Sequence, residues 1–325
     1  MQTKTQTKPP HWESLKPVAP GVVGVPALIV NSYLVGTRSE WVLVDAAMPG
    51  NAKKIIQAAE TCFGDGATPK AIVLTHGHFD HVGSLEALLQ HWDVPVYAHR
   101  LELPYLTGKA SYPPPDPTVG GGSMAQLSRL FPTKPLDLGD RVQPLPEEGE
   151  LPEMPGWRIL HTPGHAPGHV SFFREDDRTL IAGDAFVTTD QESLWTSAVT
   201  KKQEIHRPPA YFTQDWEAAR QSVQTLAALE PQVVASGHGL PMQGPFMRQA
   251  LHHLADRFDQ HIPAHGRYVR DPARFSEQGV DYVPPAVPDP ALRTLAIIGG
   301  AVLAGFIAYQ LLRRNRTGSL VVKDL

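Results

Sequence analysis

From residue 21 onward the chain runs in short apolar stretches broken by polar, glycine- or proline-bearing turns. That texture predicts many short strands with helices between them. Val22, Val23 and Val25, then residues 27–30 (ALIV) and 33–35 (YLV), read as β-runs, and residues 41–44 (WVLV) pair back as a hairpin across the turn at 36–39. Residues 51–60 predict a helix with Ile55, Ile56 and Ala59 on one face. Residues 71–75 (AIVLT) read as a buried strand, followed by a helix over 84–92 with Leu85, Leu88 and Leu89 inward and a short strand over 94–98. Further strands are expected at 157–160, 170–173, 179–182 and 231–235, and helices at 217–229 and 246–258. The order of elements gives a β-rich α/β body with helices laid on sheets. Two halves of similar kind each place metal-type residues in glycine-bearing loops at strand ends, and no short-period repeat points to a solenoid.

Four stretches depart from this texture. Residues 1–19 are polar and proline-bearing and read as a disordered lead-in without the apolar core of a secretory signal. Residues 103–152 are rich in proline and glycine, which marks a lid insertion within a catalytic domain spanning 20–265. Its apolar residues (Leu103, Tyr105, Leu106, Tyr112, Met124, Leu127 and Leu130) favour an amphipathic or acyl-bearing substrate. Residues 266–292 read as a proline-rich linker, and residues 294–312 carry no charge. At 1.5 Å per residue that last run covers about 30 Å, enough for one bilayer crossing. A transmembrane helix is therefore expected over 293–313, with a short basic tail over 314–325. Gly300 with Ala304, and Ala301 with Gly305, give this helix a face suited to pairing, hence to a homodimer in the bilayer. The arginines that follow the helix favour the cytoplasm, whereas the missing signal keeps the large domain inside. The missing signal outweighs the tail, so the catalytic domain is expected at the membrane, facing the cytoplasm.

Composition narrows the chemistry. The net charge of −4 and the lack of a basic block exclude nucleic acid as substrate and leave a small molecule. Cys62 is the only cysteine, so no intrachain disulfide forms and no thiolate-rich zinc site exists. Histidine and carboxylate must do any metal binding. Residues 76–81 (HGHFDH) pack His76, His78, Asp80 and His81 into six positions directly after a predicted strand. Imidazole with carboxylate suits zinc, iron or manganese, and Gly77 lets the chain curl so that its neighbours converge.

Later strand ends carry the rest: HTPGHAPGH over 161–169, AGDAF over 182–186 and SGHG over 236–239. These motifs, in this order after THGHFDHVG over 75–83, resemble the metallo-β-lactamase-fold hydrolase superfamily, in the HxHxDH binuclear form shared by glyoxalase II and acyl-homoserine lactonases. The resemblance implies a four-layer αββα sandwich and two divalent metal ions, zinc first, with iron or manganese as alternatives. It implies that His76, His78 and His165 hold one ion, that Asp80, His81 and His238 hold the other, and that Asp184 bridges them. His161 and His169 are then expected to brace their loop, and Asp45 to support a ligand histidine from behind. Tyr211 reads as a loop aromatic, with reach toward an oxyanion as the other reading. The implied activity is hydrolysis of an ester, thioester or lactone by a metal-bridging hydroxide, with Asp80 and Asp184 as the catalytic carboxylates. A mononuclear iron dioxygenase acting on persulfides, and a non-catalytic metal-binding interaction domain, are the rival expectations. Because no ligand position is missing, the second rival is the weaker.

Overall fold

The computed structural model describes residues 15–120, 122–146, 150–192 and 202–288. The chain divides into two units, Met1–Pro285 and Ala286–Leu325, and every described helix and strand belongs to the first. The expected transmembrane helix over 293–313 and the basic tail lie outside the described residues. Among the described residues, no helix is long and apolar enough to cross a membrane.

Two mixed sheets build the first unit. The first contains, in spatial order, β1 (Lys16–Ala19), β2 (Val22–Ala27), β3 (Val30–Gly36), β4 (Trp41–Val44), β5 (Ile72–Val73), β6 (Val96–Ala98) and β7 (Val142–Pro144). Pairing is antiparallel from β1 to β4 and parallel from β4 to β7. The second sheet runs in the order β12 (Met242–Gln243), β11 (Val233–Ala235), β10 (Thr179–Ile181), β9 (Val170–Arg174) and β8 (Trp157–His161), with only β10 and β11 parallel.

The apolar run of β4 is unbroken because both its faces are buried, and alternation sorts the side chains of the central strands between two cores. On β4, Val42 and Val44 face the second sheet, where they meet Val170, Phe172, Ile181 and Ala235. Trp41 and Leu43 face the other way, onto Ile55 and Ala59 of α1 (Ala52–Phe63) and Leu85 and Leu88 of α3 (Leu85–His91). The second sheet mirrors this: Phe173, Leu180 and Val234 pack under α6 (Trp216–Ala228) and α7 (Gly244–Asp256). Three cores between four layers give the αββα sandwich that the resemblance implies.

Three expected boundaries change. The lead-in ends before residue 16, since β1 joins the sheet there. It is an edge strand, the place in a sheet where a proline such as Pro17 is tolerated. The segment over 103–152 supplies β7 together with two short helices, α4 (Leu103–Leu106) and α5 (Ser123–Leu127). Of the apolar residues expected to greet substrate, Leu106 and Met124 are core, Tyr105 and Tyr112 stack on each other, and only Leu127 and Leu130 are exposed. Finally, the expected linker does not start at 266. Tyr268 and Ala273 are buried, and β13 (Arg274–Ser276) with β14 (Gly279–Tyr282) forms a hairpin whose Phe275 and Val280 pack against the Tyr105–Tyr112 pair. Its strands are too short to show an alternating pattern in sequence.

Candidate metal centre

The ligand-type side chains all leave the sheets at strand ends, which are rigid mounts. His76 follows β5, and His78 caps the four-residue helix α2 (Phe79–Val82), which carries Asp80 and His81. The loop between β8 and β9 supplies His165, the turn after β10 supplies Asp184, and the turn after β11 supplies His238. The structure brings all seven together as three overlapping triads: His76, His78 and His165; His76, His81 and Asp184; Asp80, His81 and His238. Within each triad the ligand atoms lie within 4.8 Å of one another.

Hydrogen bonds set the tautomers so that bare nitrogens point inward. His81 donates from Nδ1 to Asp45 Oδ2 at 2.8 Å, and His238 donates from Nδ1 to the Ile29 carbonyl at 2.7 Å. The Thr75 hydroxyl donates to Asp45 Oδ2 at 2.8 Å, which turns its lone pair to His76 Nδ1–H at 3.1 Å. The Thr75 backbone N–H adds a bond to Asp45 Oδ1 at 2.8 Å. Asp45 thus supports a ligand histidine from behind, as the resemblance implies: it holds His81 directly and reaches His76 only through Thr75. His169 accepts the Asp184 N–H at Nε2 (2.8 Å) and therefore donates from Nδ1 to Thr162 at 2.9 Å. His161 reaches the Pro167 carbonyl at 2.9 Å. Both histidines brace their loop.

The buried Nε2 atoms of His76 and His81, and Oδ1 of Asp184, have no hydrogen-bond partner. Buried polar atoms without partners are costly. His78 Nδ1 and His165 Nε2 face each other across 3.0 Å. Asp184 Oδ2 lies 3.0 Å from His238 Nε2, 3.5 Å from His165 Nε2 and 3.6 Å from His81 Nε2. Neutral imidazoles and carboxylates with converging lone pairs form a donor set that fits divalent cations. Close packing enforces the arrangement: a Cβ on Gly237 would lie 2.0 Å from Asp184 Oδ1 and 2.7 Å from the His81 ring.

Electrostatics divide the site. Burial, followed by the neighbouring histidines, drives His76 and His78 well below the usual imidazole range, and burial brings His165 down to about 4. Burial acts to raise Asp184, but His238 and His81 outweigh it and hold the carboxyl well below its ordinary value. Burial opposes a charge on His81, yet Asp184, Asp45 and Asp80 together push its pKa well up. Metal uptake must displace that proton. Burial also raises Asp80.

Phe212, Phe131 and Glu102 were not singled out in the sequence, and Tyr112 and Phe79 were not expected to line the metal site. Phe212 stacks on the His78 ring at 4.4 Å, Tyr112 lies 4.6 Å from the same ring, and Phe79, Phe131 and Tyr211 extend the aromatic wall. Tyr211 is buried within that wall. Glu102 is fully buried beside the ligand loops, and burial pushes its carboxyl up to about 7 against two backbone N–H donors that lower it. Its one legible mark was a lone acid in an apolar turn over 101–106. The neighbours of Gly77 converge as expected, without a positive φ at the glycine. Its need for glycine is close approach, since a Cβ there would lie 2.7 Å from the Tyr112 hydroxyl.

Comparison with known proteins gives the same answer as the geometry. The family model described as the metallo-beta-lactamase superfamily matches residues 25–238. The probable metallo-hydrolase YflN of Bacillus subtilis (strain 168) is 49% identical over 242 residues, covering 74% of this chain and 91% of the relative. A hydroxyacylglutathione hydrolase, GloC of Haemophilus influenzae, is 30% identical over 47% of this chain and 69% of its own length. Among solved structures, the Rm3 metallo-beta-lactamase superposes with a TM-score of 0.53 at 20% identity, covering 76% of this chain and 93% of that one. A metallo-beta-lactamase family protein from Thermus thermophilus gives 0.51 at 21% identity, covering 79% and 85%. At those identities the two structures speak for the fold alone.

Proposed function

This chain belongs to the metallo-β-lactamase superfamily and is a metallohydrolase, and on that premise we propose that it uses two divalent metal ions to hydrolyse an ester, thioester or lactone. His76, His78 and His165 would hold one ion, Asp80, His81 and His238 the other, and Asp184 both. Zinc suits this donor set best, with iron and manganese next. When bound, the ions supply a water of near-neutral pKa and an electrophile for the carbonyl oxygen. One observation carries the two-ion reading: Asp184 Oδ2 lies within 3.0–3.6 Å of histidine nitrogens drawn from both terminal triads.

The chain's own residues orient and protect the reacting groups. Asp45, Thr75 and the Ile29 carbonyl keep His81, His76 and His238 in the tautomers that present Nε2. Asp80 is the least buried of the site carboxylates, and its burial raises its affinity for a proton. Both properties suit a carboxylate that orients the attacking water and takes its proton. Half-buried Phe79, Phe131 and Ile29 beside the ligands would seat an apolar acyl group. The likeness to a hydroxyacylglutathione hydrolase supports a thioester within this class. With zinc-loaded protein, a panel of thioesters, lactones and esters should release acid. A chelator should abolish the release and added zinc restore it, whereas full turnover in metal-free protein would refute the reading.

We also propose that residues 293–313 anchor the enzyme in the bilayer as a single crossing, with the catalytic domain facing the cytoplasm and the helix pairing to a homodimer. The uncharged run over 294–312 supports the crossing, and Gly300 with Ala304 and Ala301 with Gly305 support the pairing. The full chain should fractionate with membranes and a chain ending at 288 should not. Equal solubility of the two would remove the anchor from the account.

A further inference from the structure

We propose that Glu102 is a positioning residue, a carboxylate clamp that fixes the spacing between the two histidine loops of the first triad and so governs retention of the ion held there. The inference rests on the two-ion reading above. Glu102 is fully buried just beyond β6, outside the ligand set. Its two oxygens serve different loops. Oε2 accepts the N–H of Gly77, between His76 and His78, at 2.9 Å, while Oε1 accepts the N–H of Gly168, in the His165 loop, at 2.7 Å. The Tyr112 hydroxyl donates to Oε2 and stands 3.0 Å from the same Gly77 nitrogen, closing the clamp on one side.

Packing shows how closely the loops are drawn in. A Cβ on Gly168 would lie 2.8 Å from Glu102 Cγ, and one on Gly77 would lie 2.7 Å from the Tyr112 hydroxyl, so a side chain at either clamp point would force a neighbour to shift. Between them the histidines His78 and His165 come to 3.0 Å. The triad of Asp80, His81 and His238 has other supports: Asp45 behind His81 and the Ile29 carbonyl behind His238. A change at Glu102 should therefore be felt unequally by the two ions. Only an ionised or suitably shared carboxyl offers an acceptor to each loop; an amide of the same shape turns an N–H₂ toward one of two backbone donors and opens that side.

The test is Glu102→Gln in the full chain, loaded with zinc for chelator competition and with cadmium for NMR, where coupling to histidine ring protons assigns each ion to its triad. The ion on His76, His78 and His165 should weaken by about 10- to 100-fold, the range for residues that orient ligands. The ion on Asp80, His81 and His238 should keep its affinity, and the Gly77 and Gly168 amide resonances should shift in metal-free protein. Unchanged retention of both ions, or equal weakening of both, overturns the clamp. Should Glu102→Gln fail to fold, Tyr112→Phe removes one donor and keeps the ring. It should give a smaller loss confined to the first triad, and no selective loss there overturns the proposal equally. Wild-type protein that binds fewer than two ions would instead refute the two-ion reading, while the two glycine amides would still report whether Glu102 holds the loops.

Discussion

Asp184→Asn is expected to leave a folded protein that no longer holds two metal ions and has lost turnover by roughly 10³-fold or more, about 4 kcal/mol of transition-state stabilisation. The side chain keeps its volume, so the turns after β10 and β11 still close around it and leave it buried. What it loses is the charge that three imidazoles share, at 3.0, 3.5 and 3.6 Å from one oxygen. An amide offers one acceptor, and its N–H₂ must take the place of Oδ1 or Oδ2, each of which faces ligand nitrogens or the space an ion would take. Without the anion, His81 also loses the largest of the charges that raise its pKa. Metal content by elemental analysis and turnover of the best substrate in the panel should fall together. Loss of turnover with two ions retained would give Asp184 a purely chemical role.

Asp45→Asn should have the next largest effect, although the residue touches no ion. Asp45 takes three donors: the Thr75 N–H, the Thr75 hydroxyl and His81 Nδ1–H, each at 2.8 Å. Asparagine can accept on one side only. With its oxygen toward the Thr75 N–H, its amide N–H₂ faces His81, which must then accept at Nδ1 and carry its proton on Nε2, the nitrogen meant for the metal. With the amide reversed, two N–H donors collide at Thr75. The backbone does not confuse the result, because Asp45 sits at φ +59°, a left-handed position asparagine also tolerates. Affinity at the His81 site should fall by about 10- to 100-fold, with about 1–3 kcal/mol lost from stability. Nitrogen NMR of the imidazoles should show His81 protonated on Nε2; an unchanged tautomer would contradict the argument.

These two residues differ in how plainly they stood in the sequence, and the difference has a physical origin. His76, His78, Asp80 and His81 were legible because consecutive residues on one strand end must converge, so their spacing is fixed by local geometry. His165, Asp184 and His238 were legible only through the order of motifs, since the sheet that unites them is not written in any one stretch. The order of strands and helices gave an α/β body, but the four-layer arrangement came only with the family resemblance: β4 is apolar throughout and buried on both faces, so it shows no alternation, and the buried Asn31, Ser32 and Ser171 interrupt β3 and β9. Glu102 was hidden because a clamp needs one acid at one point in space, and one acid makes no pattern. The hairpin of β13 and β14 was hidden by its brevity: three or four residues per strand carry little periodicity, and the prolines around it suggested a linker. Gly77 was legible as the point where its neighbours converge, but not as the close approach of the Tyr112 hydroxyl, which comes from a residue 35 positions away.

The central claim is that seven buried side chains form one site for two ions. Metal quantification on the purified full chain tests it most directly, after reconstitution and removal of excess metal, with acid release and oxygen consumption followed in parallel. The account predicts two divalent ions per chain, acid release that tracks their content, and no oxygen uptake. A single iron per chain with oxygen consumed would contradict it.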